Sequence, residues 1–215
     1  MYSEKQVSYT TTNTYATLNT LEASTKNVWL VFHGMGYLSK YFIRYFDGLD
    51  PKENFIIAPQ APSKYYQGKN FKHVGASWLT RERTEDETKN VLAYIDEVAA
   101  AELNLNKVRF IVMGYSQGVS IATRWLSSRK IQCDTLLLHS GGIPVELTSE
   151  DFTYLKSDCE VIYLYGTKDQ YITEARTTEE ELKGNKLFGD RLQIETFDGI
   201  HEIHQPSLLK TATKL

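Results

Sequence analysis

Five stretches of the chain are apolar at nearly every position: Val28–Phe32, Phe55–Ala58, Val108–Met113, Thr135–His139 and Glu160–Tyr165. Short continuous runs of this kind are what a strand buried on both faces requires. A sixth segment, Arg191–Phe197, alternates and predicts a last strand. Between these runs the period changes. Tyr37, Leu38, Tyr41, Phe42, Tyr45, Phe46 and Leu49 recur every three or four residues, which predicts one face of a helix. Arg81–Leu103 predicts a long helix, acidic at its start (Glu82, Glu85, Asp86, Glu87), with Val91, Leu92, Ile95, Val98 and Ala99 as its apolar stripe. Helical patterns also cover Val119–Leu126, about Thr173 to Leu187, and Pro206–Lys214. At the amino end, Val7–Leu18 alternates, is rich in Thr and Tyr, and predicts a β-hairpin turned at Thr12-Asn13.

Strand and helix alternate after that hairpin. The pattern predicts an α/β fold, a mostly parallel central sheet with helices on both faces. Ligands of such sheets sit beyond the carboxyl ends of the strands. Pro59–Trp78 breaks the alternation: it holds Pro62, Tyr65, Tyr66, Gly68 and Gly75, shows little periodicity, and is expected to be a long functional loop. No repeat or linker divides the chain, so 1–215 is expected to be a single domain.

Composition narrows the function. Hydrophobic residues make up 41% and charged residues 24%, the balance of a globular domain. Net charge is −3, without a basic run, which argues against a nucleic-acid partner. No apolar stretch has the length of a membrane span, so no stable membrane insertion is expected. The first residues lack the form of a signal peptide, and a cytoplasmic location is expected. Two cysteines, Cys133 and Cys159, each open an apolar run and read as small buried thiols.

The chemistry centres on Gly114-Tyr115-Ser116-Gln117-Gly118, a G-x-S-x-G between a predicted strand and a predicted helix. That context is a nucleophile elbow, a sharp turn that leaves the serine hydroxyl exposed at its tip. A serine hydroxyl needs a base to accept its proton and an acid to orient that base. Asp169 follows the strand Glu160–Tyr165 and His201 follows the last strand, in the order Ser, Asp, His. Asp198 is a nearer alternative acid; chain order favours Asp169. His201-Glu202-Ile203-His204 is not H-E-x-x-H, since its second histidine comes one position early, and neither a metal nor another cofactor is expected. For the oxyanion, the N–H of Gln117 is one candidate donor. The other is the N–H of Met35, within the flexible His33-Gly34-Met35-Gly36 that follows the first buried strand. His33 and His139 read as structural.

These segments together resemble the carboxylesterase, lysophospholipase and acyl-protein thioesterase family of small α/β-hydrolases. The resemblance is carried by Leu30–Gly36, Ala58-Pro59-Gln60-Ala61-Pro62, Ser77-Trp78, the elbow, Ser140–Pro144, Gly166–Asp169 and His201-Glu202-Ile203. It implies the α/β-hydrolase fold and hydrolysis of a small-molecule acyl ester or thioester through an acyl-Ser116 intermediate. It also implies that Trp78 lines the acyl side of the pocket, against a reading from residue type alone in which Trp78 is core. The chain departs from the family at Tyr37, where an aspartate is usual, and at Ile200, inserted between Gly199 and His201. The competing functional class is a catalytically silent hydrolase-fold protein that holds a ligand in the same pocket. Acyl chain length, leaving group and oligomeric state stay open at this stage.

Overall fold

The computed structural model describes residues 1–172 and 174–214. Seven strands form the main sheet: β1 (Tyr15–Leu18), β2 (Asn27–Phe32), β3 (Asn54–Pro59), β6 (Arg109–Tyr115), β7 (Thr135–His139), β8 (Glu160–Gly166) and β9 (Leu192–Phe197). Their order is β1-β3-β2-β6-β7-β8-β9. All neighbours pair in parallel except β1, which runs antiparallel to β3. The chain leaves β2 toward one edge of the sheet and returns as β6 to build the other. The β2/β6 boundary is therefore the switch point where a crevice opens beyond the strand ends.

The apolar runs behave as a doubly covered sheet demands. Val28, Leu30 and Phe32 face a core with Val91, Leu92 and Ile95 of α2 (Thr84–Glu102), Trp125 and Leu126 of α3 (Gln117–Arg129), and Leu187 and Phe188 of α4 (Glu174–Phe188). Trp29 and Val31 face the other side, with Phe42 of α1 (Ser39–Phe42), Phe46 of the 3₁₀ turn Ile43–Phe46, and Leu208 of α5 (Gln205–Thr213). Among the described residues, no helix is long and apolar enough to cross a membrane.

Four expectations change. The hairpin expected over Val7–Leu18 is a single strand, β1, whose partner is the free edge of β3. Residues 1–12 are exposed, so the Thr/Tyr alternation has no core to face and the first arm does not form. The stretch expected to be an irregular loop holds a hairpin, β4 (Ser63–Gln67) against β5 (His73–Ser77). It escaped the pattern because β4 is exposed or half-buried at every position; backbone ladders define it, not apolar period. The helix expected from Tyr37 to Leu49 is one short α-helical turn continuing as 3₁₀, consistent with the modest helix propensity of its aromatic residues. Phe42 and Phe46 still bury on the expected stripe. Helix α2 starts later than expected because Arg83 takes a left-handed conformation, φ 51°. The expected start of the polar helix, Thr173, lies outside the described residues.

Leu137 is fully buried in β7 at the centre of the sheet. Leu137→Ala removes those contacts and leaves a cavity, so it is expected to lower unfolding free energy by about 3 kcal/mol, read as a reduced urea midpoint at unchanged m-value.

Candidate active site

Ser116 stands between β6 and α3 with φ 53° and ψ −119°, a region a non-glycine residue seldom occupies. Two glycines allow the turn. A Cβ on Gly114 would lie 2.4 Å from Val119 Cα, and one on Gly118 would lie 2.0 Å from the carbonyl oxygen of Phe32. Neither site admits a side chain, and through Gly118 the start of α3 is pressed against the end of β2. The strained backbone keeps its hydrogen bonds: Ser116 N–H donates to His139 O at 2.8 Å, and Ser116 O accepts from Val119 N–H at 3.1 Å.

The structure brings Ser116, His201 and Asp169 together from the ends of β6, β9 and β8. His201 Nε2 lies 3.0 Å from Ser116 Oγ, and His201 Nδ1 lies 2.7 Å from Asp169 Oδ2. An ionised carboxylate only accepts hydrogen bonds, so Nδ1 carries the ring proton and Nε2 is left to accept from the serine hydroxyl. The Asp169 side chain is fully buried and that of His201 is 13% exposed. The other oxygen of Asp169 accepts from the N–H groups of Tyr171 and Ile172, at 2.8 and 3.3 Å. The alternative acid, Asp198, faces solvent in an ion pair with Lys168 at 2.6 Å.

The histidine loop is tied down on both sides. Lys168 N–H donates to Gly199 O and Thr167 N–H to Phe197 O, each at 2.9 Å, which staples the Asp169 turn to the end of β9. Tyr115, the elbow residue before the serine, donates its hydroxyl to His201 O at 3.1 Å, and its ring lies 5.2 Å from the imidazole. Burial pushes the Tyr115 phenol well above its ordinary range, so it remains a donor. Tyr171 meets the opposite part of the imidazole edge-on at 4.9 Å. Neither tyrosine stood out in the sequence. Tyr115 sat inside a motif whose logic concerns the backbone, and Tyr171 lay in a loop without period.

The His33–Gly36 loop approaches Ser116 from the end of β2. A Cβ built on Gly34 would lie 3.1 Å from Ser116 Cβ, so the residue before Met35 touches the nucleophile. Gln117 is the first residue of α3, and its N–H has no carbonyl to reach within the helix. His33 shapes the loop. Its Nε2 accepts from Ala61 N–H at 3.1 Å, which makes Nδ1 the donor to Gly34 O at 2.8 Å. Burial lowers its pKa to about 4, keeping the ring neutral. The Gln117 side chain acts as a latch. Its oxygen accepts from Trp78 N–H at 2.8 Å, and its amide donates to Leu79 O at 2.7 Å.

Trp78 itself is fully buried; its indole N–H donates to His33 O at 2.8 Å and its ring packs on Phe32 and His33. The expectation that it lines the acyl pocket is therefore corrected. It supports the His33–Gly36 loop from the core and is fully covered. His139, at the end of β7, is also fully buried; its Nε2 accepts from His204 N–H at 3.1 Å, and burial lowers its pKa to about 3. Among the described residues, no three His, Cys, Asp or Glu side chains are grouped to hold a metal ion.

The phospholipase/carboxylesterase family model matches residues 13–215. Among curated proteins, none matches the chain in sequence. Among solved structures, acyl-protein thioesterase 2 of Zea mays is similar at a TM-score of 0.69 and 14% identity, over 94% of this chain and 96% of that one. Esterase PE8 gives 0.67 and 20%, over 94% and 97%. A phospholipase/carboxylesterase from Dyadobacter fermentans gives 0.63 and 17%, over 96% and 99%. At these identities the likeness is one of fold.

His33 and His139 are neutral in the folded protein at pH values where unfolded histidines, with pKa near 6.5, already bind protons. Their stabilising contribution is complete above about pH 6.5 and is lost as pH falls toward 4. The expected slope is about 2–3 kcal/mol per pH unit for the pair near pH 5. Urea unfolding at pH 7.5, 6 and 5 measures it, and His139→Asn is expected to remove about half of the slope.

Proposed function

The chain belongs to the phospholipase/carboxylesterase family, and from that premise we propose that it is a serine hydrolase that cleaves carboxylic esters, thioesters or lysophospholipids through an acyl-Ser116 intermediate. The observation that carries this reading is the unbroken hydrogen-bond chain from buried Asp169 through His201 to the hydroxyl of Ser116.

In the proposed reaction Ser116 Oγ attacks the carbonyl carbon while His201 Nε2 takes its proton. Asp169 holds the imidazole in the tautomer that can do this and stabilises the imidazolium that results. The carbonyl oxygen becomes an oxyanion, received by the N–H groups of Met35 and Gln117; each such donor is worth about 3–4 kcal/mol to the barrier. Collapse of the tetrahedral intermediate breaks the bond to the leaving alcohol or thiol, which takes the proton from Nε2. A water molecule then attacks the acyl carbon while His201 Nε2 takes one of its protons; collapse of this second tetrahedral intermediate breaks the acyl–Oγ bond, Nε2 returns the proton to Ser116 Oγ, and the free acid departs. Proton and electron bookkeeping closes without a cofactor.

The test is direct. A fluorophosphonate is expected to label Ser116, seen as an adduct on its tryptic peptide, and Ser116→Ala is expected to lose both labelling and turnover of nitrophenyl esters, with kcat down on the order of 10⁶-fold. Asp169→Asn, which keeps the shape but favours the wrong tautomer, is expected to lower kcat by about 10⁴-fold. A folded wild-type protein that neither labels nor turns over any member of an ester and thioester chain-length series would be a silent binding protein instead.

A further inference from the structure

A cleft of about 330 Å³ opens directly beside the oxyanion loop. Gly36 and Tyr37 line it, and Lys40, Gln67, Lys72 and His73 are among its polar side chains. Gly36 lies two residues beyond Gly34, which touches Ser116. With consecutive Cα atoms about 3.8 Å apart, the cleft begins within about 8 Å of the nucleophile's neighbour. The two walls come from different parts of the chain, α1 on one side and the β4–β5 hairpin on the other, yet they are bonded together at the loop. Gly36 N–H donates to Ala76 O, and the Gln67 amide donates to Gly36 O, both at 2.8 Å. The wall of the cleft and the loop that follows β2 are thus held together by hydrogen bonds.

Its charge is one-sided. No acidic residue lines it. Lys40 and Arg44 both lie over the Tyr41 ring, at 5.0 and 5.4 Å from its centroid. Neither these two nor Lys72 has a carboxylate within 4 Å among the described residues. From Asn54 to Arg81 the chain carries Lys64, Lys69, Lys72 and Arg81 without an aspartate or glutamate, inside a protein of net charge −3. Lys40 and Lys72, the two cations that line the cleft, attract and orient an anion there.

We propose that this cleft is a subsite for an anionic group, and that the preferred substrate is an ester carrying a carboxylate or phosphate a few bonds from the scissile carbonyl. The inference rests on the hydrolase reading and names the substrate class of that same site. Lys40 and Lys72 receive the anion, and Gly36 joins their cleft to the oxyanion donors, so one ligand spans both.

Two substrate pairs test it. On the acyl side, the mono-p-nitrophenyl ester of succinic acid is compared with p-nitrophenyl butyrate. On the alcohol side, a short-chain acylglycerol 3-phosphate is compared with the matching monoacylglycerol. In at least one pair the anionic ester is expected to show kcat/KM about tenfold higher at low salt, and the preference is expected to fall as ionic strength rises. The double variant Lys40→Gln/Lys72→Gln changes two exposed side chains. It is expected to lower kcat/KM for the anionic ester about tenfold more than for its neutral partner. Ser116→Ala protein provides a readout without turnover: its equilibrium affinity for the acylglycerol 3-phosphate is expected to drop about tenfold with the same two changes. Equal treatment of both pairs by the wild type, or a preference that survives the double variant, overturns the subsite while leaving ester hydrolysis intact. Absence of turnover and of fluorophosphonate labelling overturns the hydrolase reading itself.

Discussion

The tightest constraint in this molecule is the approach of three backbones at one point: the end of β2, the turn at Ser116 and the first turn of α3. Gly118 allows the helix to press on the Phe32 carbonyl, and Gly114 allows the strand to meet Val119. Ser116 absorbs the remaining geometry in an unfavourable φ/ψ region, which costs of order 1–3 kcal/mol. The cost is offset by hydrogen bonds that hold Ser116 N–H on His139 O and Val119 N–H on Ser116 O. The consequence is positional. The serine side chain, the Gln117 N–H and the Gly34–Met35 segment are set by one packing event rather than by three independent loops. Because β2 and β6 are the strands on either side of the switch point, that event occurs where the sheet opens a crevice anyway.

Around it, burial is used to fix protonation states by geometry. His33 and His139 are desolvated and each accepts a backbone N–H at Nε2, so both act as neutral struts between strand ends and loops. His201 differs. It keeps a little exposure, and its Nδ1 faces a carboxylate, where that of His33 faces a backbone carbonyl and that of His139 a serine hydroxyl. Three histidines within one strand-end layer therefore carry two different assignments, set by what their ring nitrogens meet. An imidazole whose protonated form is stabilised by a buried carboxylate can accept a proton transiently; one held by a backbone N–H cannot do so without losing its bond.

How much of this was readable in advance follows from where the signal lies. The parallel sheet was legible because strands buried on both faces must be apolar throughout, as Val28–Phe32 and Thr135–His139 are. The positions of Ser116, Asp169 and His201 were legible as strand-end residues in a particular order, and the structure places them in one hydrogen-bonded row. The β4–β5 hairpin was not, since its first strand faces solvent and leaves no period. The amino-terminal hairpin failed in the opposite way: alternation was present at Val7–Leu18, but only Tyr15–Leu18 found an edge to pair with. Trp78 shows a third limit. A tryptophan near the site satisfies both a pocket and a core reading by composition, and only its buried indole N–H on His33 O separates them. Gln117 was counted for its backbone alone, while its side chain turned out to bind the Trp78–Leu79 segment.

That latch links chemistry to specificity. The loop that follows β2 is held from below by His33 and Trp78 and from the side by Ala76 and Gln67, which belong to the β4–β5 hairpin. A hairpin with so few buried side chains contributes little to the core, and its sequence is free to vary without unfolding the sheet. Yet through Gly36 it touches the loop that lies against Ser116. A change at its exposed face therefore leaves the contacts with Gly36 in place. A change at Gln67 or Gly75, where the strands meet Gly36, would instead disturb that loop. The division between the part that holds the Ser116 neighbourhood and the part that does not runs through this one hairpin, between its Gly36-facing side and its solvent-facing side.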